Sequence, residues 1–321
     1  MKVSIIIPTK NNADILEKCL ESIRNLDYPR DEVEVIVVDG HSTDGTVKIA
    51  ERYGCRVVYE DVGTIGGARN IGVEHSRGDY IVFTDADCVV DRDWLKNLIR
   101  EFKDERIASV GGPNITPEDD TEFAKCVGVV LGFLSKPGAR YAFNTGKVIE
   151  IYHNPTCNSA YRKTVFQEVG GFNPKLITCD DEELDYRIRK RGYRILFTPY
   201  ARVYHYRRPT WKRFAKMAWS YGIGRGQVIK LHKELAKWYY CAPSALILLI
   251  TLLFALSLAI PVLSLIAFSL LIAGGIGIVL IGLYLAFKTR WRRFTTYSLL
   301  IAIWFWGYGL GMLRGLLKAA R

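Results

Sequence analysis

No charged residue lies between Ala242 and Phe287, and none between Thr295 and Leu313. Stretches that are apolar on every side must be covered by protein or by lipid. The first is too long for one membrane span and long enough for two of roughly 20 residues each. It predicts a membrane hairpin that turns at Pro261, with Ser264 nearby. The second stretch carries Trp304, Trp306 and Tyr308 and leaves two readings open. It is a third span, or its glycine-rich end "GYGLGMLRG" packs on the other helices or lies at the interface. Paired metal spacing is also missing. The seven cysteines (19, 55, 88, 126, 157, 179 and 241) form no zinc pattern, which argues against a zinc cluster and for reduced thiols. The apolar segments are C-terminal, so no signal peptide is expected.

Acidic residues are the scarcer sign, 33 against 44 basic ones, for a net charge of +11. Nucleic acid is one partner for such a balance. Here, however, many bases flank the apolar tail: Lys230, Lys233 and Lys237 before it, then Lys288, Arg290, Arg292 and Arg293. This pattern fits cytoplasmic loops beside an anionic bilayer, with no nucleic-acid partner. It predicts a multi-pass protein of the cell membrane whose large N-terminal domain and Lys288–Arg293 loop face the cytoplasm. Two spans satisfy that placement. A third would carry Arg314, Lys318 and Arg321 to the far side.

The first 240 residues are mixed and charged, and they alternate two kinds of pattern. Strands are predicted at Val3–Thr9, Val33–Asp39, Arg56–Glu60 and "YIVFTD". Helices are predicted at Ala13–Leu26, from "STDGT" to about Tyr53, at "GGARNIGVEHS" and at Asp93–Phe102. Apolar strands alternating with helices predict a parallel sheet covered on both faces. Ligands bind beyond the carboxyl ends of such strands. Thr9, Lys10 and Asn11, then Asp39, then Asp85 and Asp87 fall at those ends. The pattern weakens from Gly112 to Asn154, apart from a helix predicted at Thr121–Leu134. It returns with "NSAYRKTVFQEVGGF", an acidic helix start "CDDEELDYRIRKRGY", and strands "RILFTP" and "ARVYHY". The basic, aromatic segment Arg207–Tyr240 suits helices in the membrane interface.

Taken in order, "SIIIPTKNN", "VIVVDGHSTDGT", "GGARNIGVEHSRGDYIVFTDADC", "NSAYRKTVFQEVGGF" and "DDEELDYRIRKRGY" resemble an inverting family-2 glycosyltransferase. The resemblance implies an α/β fold: a GT-A nucleotide-sugar domain, Rossmann-like with a mostly parallel sheet, followed by C-terminal transmembrane helices. The implied division is a catalytic domain at 1–206, interfacial helices at 207–240 and a transmembrane region of two or three helices at 241–321. Asp85 and Asp87 match the family's D-x-D motif, with Asp87 on the metal and Asp85 nearer the ribose. Hard oxygen ligands suit Mg²⁺ or Mn²⁺. The resemblance also implies that Asp39 contacts the base, that Pro8, Thr9 and Asn11 line its pocket, and that Arg69 lies beside the nucleotide. His205 becomes a further metal or diphosphate contact. Asp44 reads as a helix cap and Cys88 as packing.

Alignment on Leu184 and Arg187 puts the catalytic base at Asp181, with Asp180 its acidic neighbour and Glu183 the later acid. The usual pair begins Glu-Asp, so Asp180 versus Asp181 stays open. Clustered carboxylates raise one another's pKa, which suits a base near neutral pH. Trp211 and Arg213 do not supply the Q-x-x-R-W motif of processive synthases. The expected enzyme is metal-dependent, inverting and of hexosyltransferase type. It moves sugar from a nucleotide-sugar donor to a lipid-linked or membrane-bound acceptor hydroxyl. A polyprenyl-phosphate acceptor is the alternative; being already ionised, it would leave the acidic run without a task. A non-catalytic nucleotide-sugar-binding membrane protein would show no donor turnover. A nucleotidyltransferase would bring a basic Gly-rich loop early, which "PTKNNAD" is not. The sugar, the nucleotide and the oligomeric state are not encoded in any readable pattern.

Overall fold

Four strands and three helices alternate through the first 84 residues of the computed structural model. They are β1 (Val3–Thr9), α1 (Leu16–Arg24), β2 (Val33–Asp39), α2 (Thr46–Arg52), β3 (Arg56–Tyr59), α3 (Ile65–Glu74) and β4 (Tyr80–Thr84). The structure describes residues 2–135, 146–207, 210–289 and 293–317. These fall into two compact units. The first holds those within 1–121, 131–175 and 180–208; the second holds those within 122–130, 176–179 and 209–321.

β1 to β4 pair in parallel in the order β3-β2-β1-β4, as expected of buried apolar strands. Side chains of β1 alternate across the sheet. Ile5 and Ile7 pack with Leu16 and Leu20 of α1, while Ile6 packs on the other face with Ala68 of α3, Phe83 and Phe172. Each such burial contributes about 1.5–3 kcal/mol. α1 starts later than the apolar pattern predicts. Thr46 Oγ1 accepts from Asn12 N–H and Asp44 Oδ2 accepts from Ala13 N–H, which holds residues 12 and 13 in a turn.

The chain continues through β5 (Cys88–Val90), α4 (Trp94–Ile99), β6 (Ile107–Gly111), β7 (Asn114–Ile115), α5 (Glu122–Leu134), β8 (Ile149–Glu150), β9 (Asn158–Arg162), α6 (Lys163–Glu168), α7 (Asp180–Lys190), β10 (Arg194–Phe197) and β11 (Val203–His205). The large sheet runs on from β4 as β9-β6-β10-β8. Here the parallel expectation needs correcting. β9 lies antiparallel between β4 and β6, and β8 is antiparallel to β10. The cause is connectivity: β9 is not joined to a neighbouring strand by a simple strand-helix-strand crossover. Part of the Gly112–Asn154 segment, residues 136–145, lies outside the described residues.

A second, three-stranded sheet has the order β5-β11-β7 and pairs His205 with Cys88. Asn158 ties the two sheets together. It is fully buried; its Oδ1 accepts from Trp94 Nε1 at 2.8 Å, and its Nδ2 donates to Pro113 O at 2.9 Å and Ala201 O at 2.8 Å.

The second unit contains α8 (Trp211–Leu231), α9 (Trp238–Leu256), α10 (Val262–Lys288) and α11 (Phe294–Leu317). The last three are long and apolar enough to cross a membrane, with mean hydropathies of 2.0, 2.5 and 1.4. Pro261 stands at the N-cap of α10, where its fixed φ helps start the helix. Of the expected basic loop, residues 290–292 lie outside the described residues. Among the described residues of 207–240, α8 is the one long helix; Gly222 and Gly226 in its buried Gly222–Ile229 stretch meet α11. Glycines make the approach: a methyl on Gly311 would lie 2.3 Å from Trp219 O, and one on Gly222 would lie 2.2 Å from Tyr308 O. Thr178 Oγ1 donates to Ser220 O at 3.0 Å, and Ile177 N–H donates to Gln227 Oε1 at 3.2 Å.

Asn158→Ala leaves one buried donor and two buried carbonyls without this partner. We expect a loss of about 3 kcal/mol or more, read as a lowered midpoint of thermal or denaturant unfolding. An unchanged midpoint would show that the Asn158 bonds do not hold the two sheets.

Candidate functional site

The carboxyl ends of β1 to β4 open onto a cleft of about 460 Å³, lined by Pro8, Thr9, Lys10, Val38, Glu60, Asp85, Asp87 and His205 among others. Backbone geometry shapes its rim. Asn11 takes a positive φ of 53°, a conformation asparagine tolerates better than most residues. Its N–H donates to Ser42 Oγ and its Oδ1 accepts from Thr43 N–H, each at 2.8 Å. Asn11 therefore joins two loops and does not stand on the cleft wall. Asp39 is fully buried, and both of its oxygens accept from Ser42, from N–H at 2.7 Å and from Oγ at 2.5 Å. Asp44 Oδ1 accepts from Thr46 N–H at 2.9 Å, a local turn contact one residue ahead of Gly45, the N-cap of α2.

At the β4 end of the cleft, ligand atoms of Asp85, Asp87, Cys88 and His205 lie within 4.8 Å of one another. His205 arrives there because β11 pairs with β5. Two carboxylates and an imidazole form a donor set suited to Mn²⁺ or Mg²⁺. Cys88 is buried in the core, and burial pushes its thiol well above the usual range. It stays protonated and packs, in keeping with its sequence reading.

Both aspartates already face a protein cation. Asp87 Oδ1 is 3.1 Å from His205 Nε2. Burial works against the imidazolium, but the Asp87 carboxylate outweighs it and lifts His205 from 6.5 to about 10. Asp85 Oδ1 is 3.0 Å from Arg69 NH2, and Arg69 NH1 is 3.3 Å from Asp180 Oδ2. Arg69 is 3% exposed, so it is a buried bridge between the two acidic sites and not a solvated helix residue. Burial opposes its charge, but Asp85 and Asp180 hold it.

α7 presents its acids in different states. Asp180 is buried, and desolvation raises it to about 6 against the pull of Arg69, with Asp181 adding repulsion. Asp181 is only partly buried, and its Oδ1 accepts from Glu182 N–H at 2.9 Å. Glu183 is paired with Arg187 at 2.7 Å, which in turn donates to Val169 O and Gly171 O; this is a structural clasp. Two acids escaped the sequence reading. Asp185 is fully buried, accepts from Tyr161 Oη at 3.0 Å and from Asn154 N–H at 2.8 Å, and fixes α7 on the sheet. Glu60 follows β3 and lines the cleft. The strand-end rule that gathered Thr9, Asp39 and Asp85 would have found it too.

The α/β fold, with its cleft at the strand ends, is of the GT-A type. Residues 4–170, a little over half of the chain, match the family described as "Glycosyl transferase family 2". The chain belongs to glycosyltransferase family 2. It is 27% identical over 244 residues to a dolichyl N-acetyl-α-D-glucosaminyl phosphate 3-β-D-2,3-diacetamido-2,3-dideoxy-β-D-glucuronosyltransferase of Methanococcus voltae. That match covers 71% of this chain and 74% of that one. It is 29% identical to the glycosyltransferase AglE of Haloferax volcanii, over 70% and 73% of the two chains. Among solved structures it resembles the mannosyltransferase PcManGT of Pyrobaculum calidifontis, in complex with GDP-Man and Mn²⁺. The TM-score is 0.64 and the identity 24%, over 97% of this chain and 87% of that one.

The His205–Asp87 pair gives a pH test. The folded pKa is raised, so the stability it contributes is full below about pH 6.5 and is lost as pH rises toward 10. In chelator, unfolding midpoints of wild type and His205→Ala should converge between pH 6.5 and 10. A constant difference across that window would remove the pair as the cause.

Proposed function

We propose that the protein is an inverting, divalent-metal-dependent glycosyltransferase. Its donor is a nucleoside-diphosphate sugar, and its acceptor is a hydroxyl on a lipid-linked or membrane-bound molecule. The observation that carries this reading is the convergence of Asp85, Asp87 and His205 at one end of a cleft formed by the strand ends. When bound there, Mg²⁺ or Mn²⁺ would neutralise the diphosphate and stabilise the charge left on it as the glycosidic bond breaks. Asp87 and His205 are its proposed protein ligands, with Asp85 shared between that site and the ribose side. Pro8 and Thr9 line the nucleotide pocket. Asn11 and Asp39 shape it through the Ser42 turn, and Arg69 holds Asp85 in place.

Asp181 is the proposed general base. Asp180 is committed to Arg69, whereas Asp181 is the more accessible carboxylate at the start of α7. It takes the proton from the acceptor oxygen as that oxygen attacks the anomeric carbon from the face opposite the leaving diphosphate. One displacement inverts the configuration. The base favours a hydroxyl acceptor over a polyprenyl phosphate, which arrives ionised and needs none. The Methanococcus voltae relative, named for a dolichyl-linked sugar phosphate, supports the lipid-linked class. Three apolar helices and the basic residues flanking them support a membrane protein with its catalytic unit on the cytoplasmic side.

Asp181→Asn should lower transfer by about 10²–10⁴-fold, the usual range for a lost general base. Affinity for nucleoside diphosphate, read by metal-dependent thermal stabilisation, should stay within about twofold. Full transfer activity in this variant would rule out Asp181 as the base.

A further inference from the structure

Asp39 does not line the cleft, because its carboxylate is sealed by Ser42. Some other group must meet the nucleotide base. The diphosphate end is set by Asp85, Asp87 and His205 beyond β4, so the base lies across the sheet, toward β3. Three strand spacings separate β4 from β3, roughly 14 Å at about 4.8 Å per step. That end of the cleft carries Glu60, whose backbone N–H is tied to Asp39 O at 3.1 Å. Its Oε2 accepts from Gly63 N–H at 2.8 Å, which fixes the carboxylate. The adjacent acid, Asp61, pairs with His41 at 2.8 Å. Gly40 lies between Glu60 and Lys10: a methyl there would sit 3.1 Å from Glu60 Oε1 and 3.3 Å from Lys10 Cδ.

We propose that Glu60 reads the base and selects a guanosine-diphosphate sugar. This rests on the donor reading above. A carboxylate offers only acceptors. Guanine presents two neighbouring donors, N1–H and the 2-amino group, which a carboxylate can take side by side in charge-assisted bonds. Uracil presents one N–H between two carbonyl oxygens, and these would face the carboxylate's negative charge. Adenine and cytosine place a ring-nitrogen acceptor beside their amino group. Lys10, on the same wall, supplies a donor for guanine O6.

The test uses the full-length protein in detergent with Mn²⁺, measuring thermal stabilisation by GDP, UDP, CDP, ADP and dTDP. GDP should half-saturate at a concentration about tenfold or more below the others. Glu60→Gln keeps an oxygen for Gly63 N–H but replaces the second acceptor with a donor. It should weaken GDP by about tenfold and change UDP by less than about twofold. Tightest binding of UDP or another nucleotide by the wild type, or unchanged GDP affinity in Glu60→Gln, overturns the assignment and leaves the donor reading standing. Binding of none of the five overturns the donor reading and the assignment with it.

Discussion

Arg69 is the interaction on which the catalytic unit depends. A guanidinium that is 3% exposed must be paired, and breaking such a pair costs about 3–5 kcal/mol. Its two partners come from distant parts of the chain: Asp85 from the end of β4, Asp180 from the start of α7. One cation therefore settles where the β4 carboxylates and the α7 acids lie relative to each other. It also explains why carboxylates tolerate the edge of a core at all. Asp85 and Asp87 each have a cation waiting in the folded protein, Arg69 and His205, before any ligand arrives.

Charge distribution within the acidic helix follows from that pairing. Of the four acids that open α7, Asp180 is taken by Arg69 and Glu183 by Arg187. Asp185, one turn on, is locked under the sheet. What remains partly open near the helix start is Asp181. Acid-rich helix starts are common because they complement the dipole. Here the surrounding cations sort similar side chains into those that are paired and one that stays partly open.

Much of this was legible in the sequence, and the parts that were not share a cause. β1, β2 and β4 keep long apolar stretches, with Ser4 and Glu34 interrupting only near the strand starts, so both the strands and the polar residues at their ends could be read directly. β6 and β9 are interrupted by Ser109, Asn158 and Ser159, whose buried polar groups hide the strand pattern. The antiparallel insertion of β9 is invisible to any local pattern. His205 was noticed as a lone histidine after a strand, but its approach to Asp87 depends on the small β5-β11-β7 sheet. Arg69 and Asp39 stand out in the sequence only by their place beside strand ends. Their burial, and the partners that come with it, could only be seen once the chain was folded.

The glycine contacts between α8 and α11 have a mechanical meaning. Two helices that touch backbone to backbone at successive turns cannot slide or roll past each other without a collision of main-chain atoms. They behave as a single stiff rod. Residues 177 and 178 are tethered to that rod through Gln227 and Ser220. Two residues later the chain reaches Asp180 and Asp181.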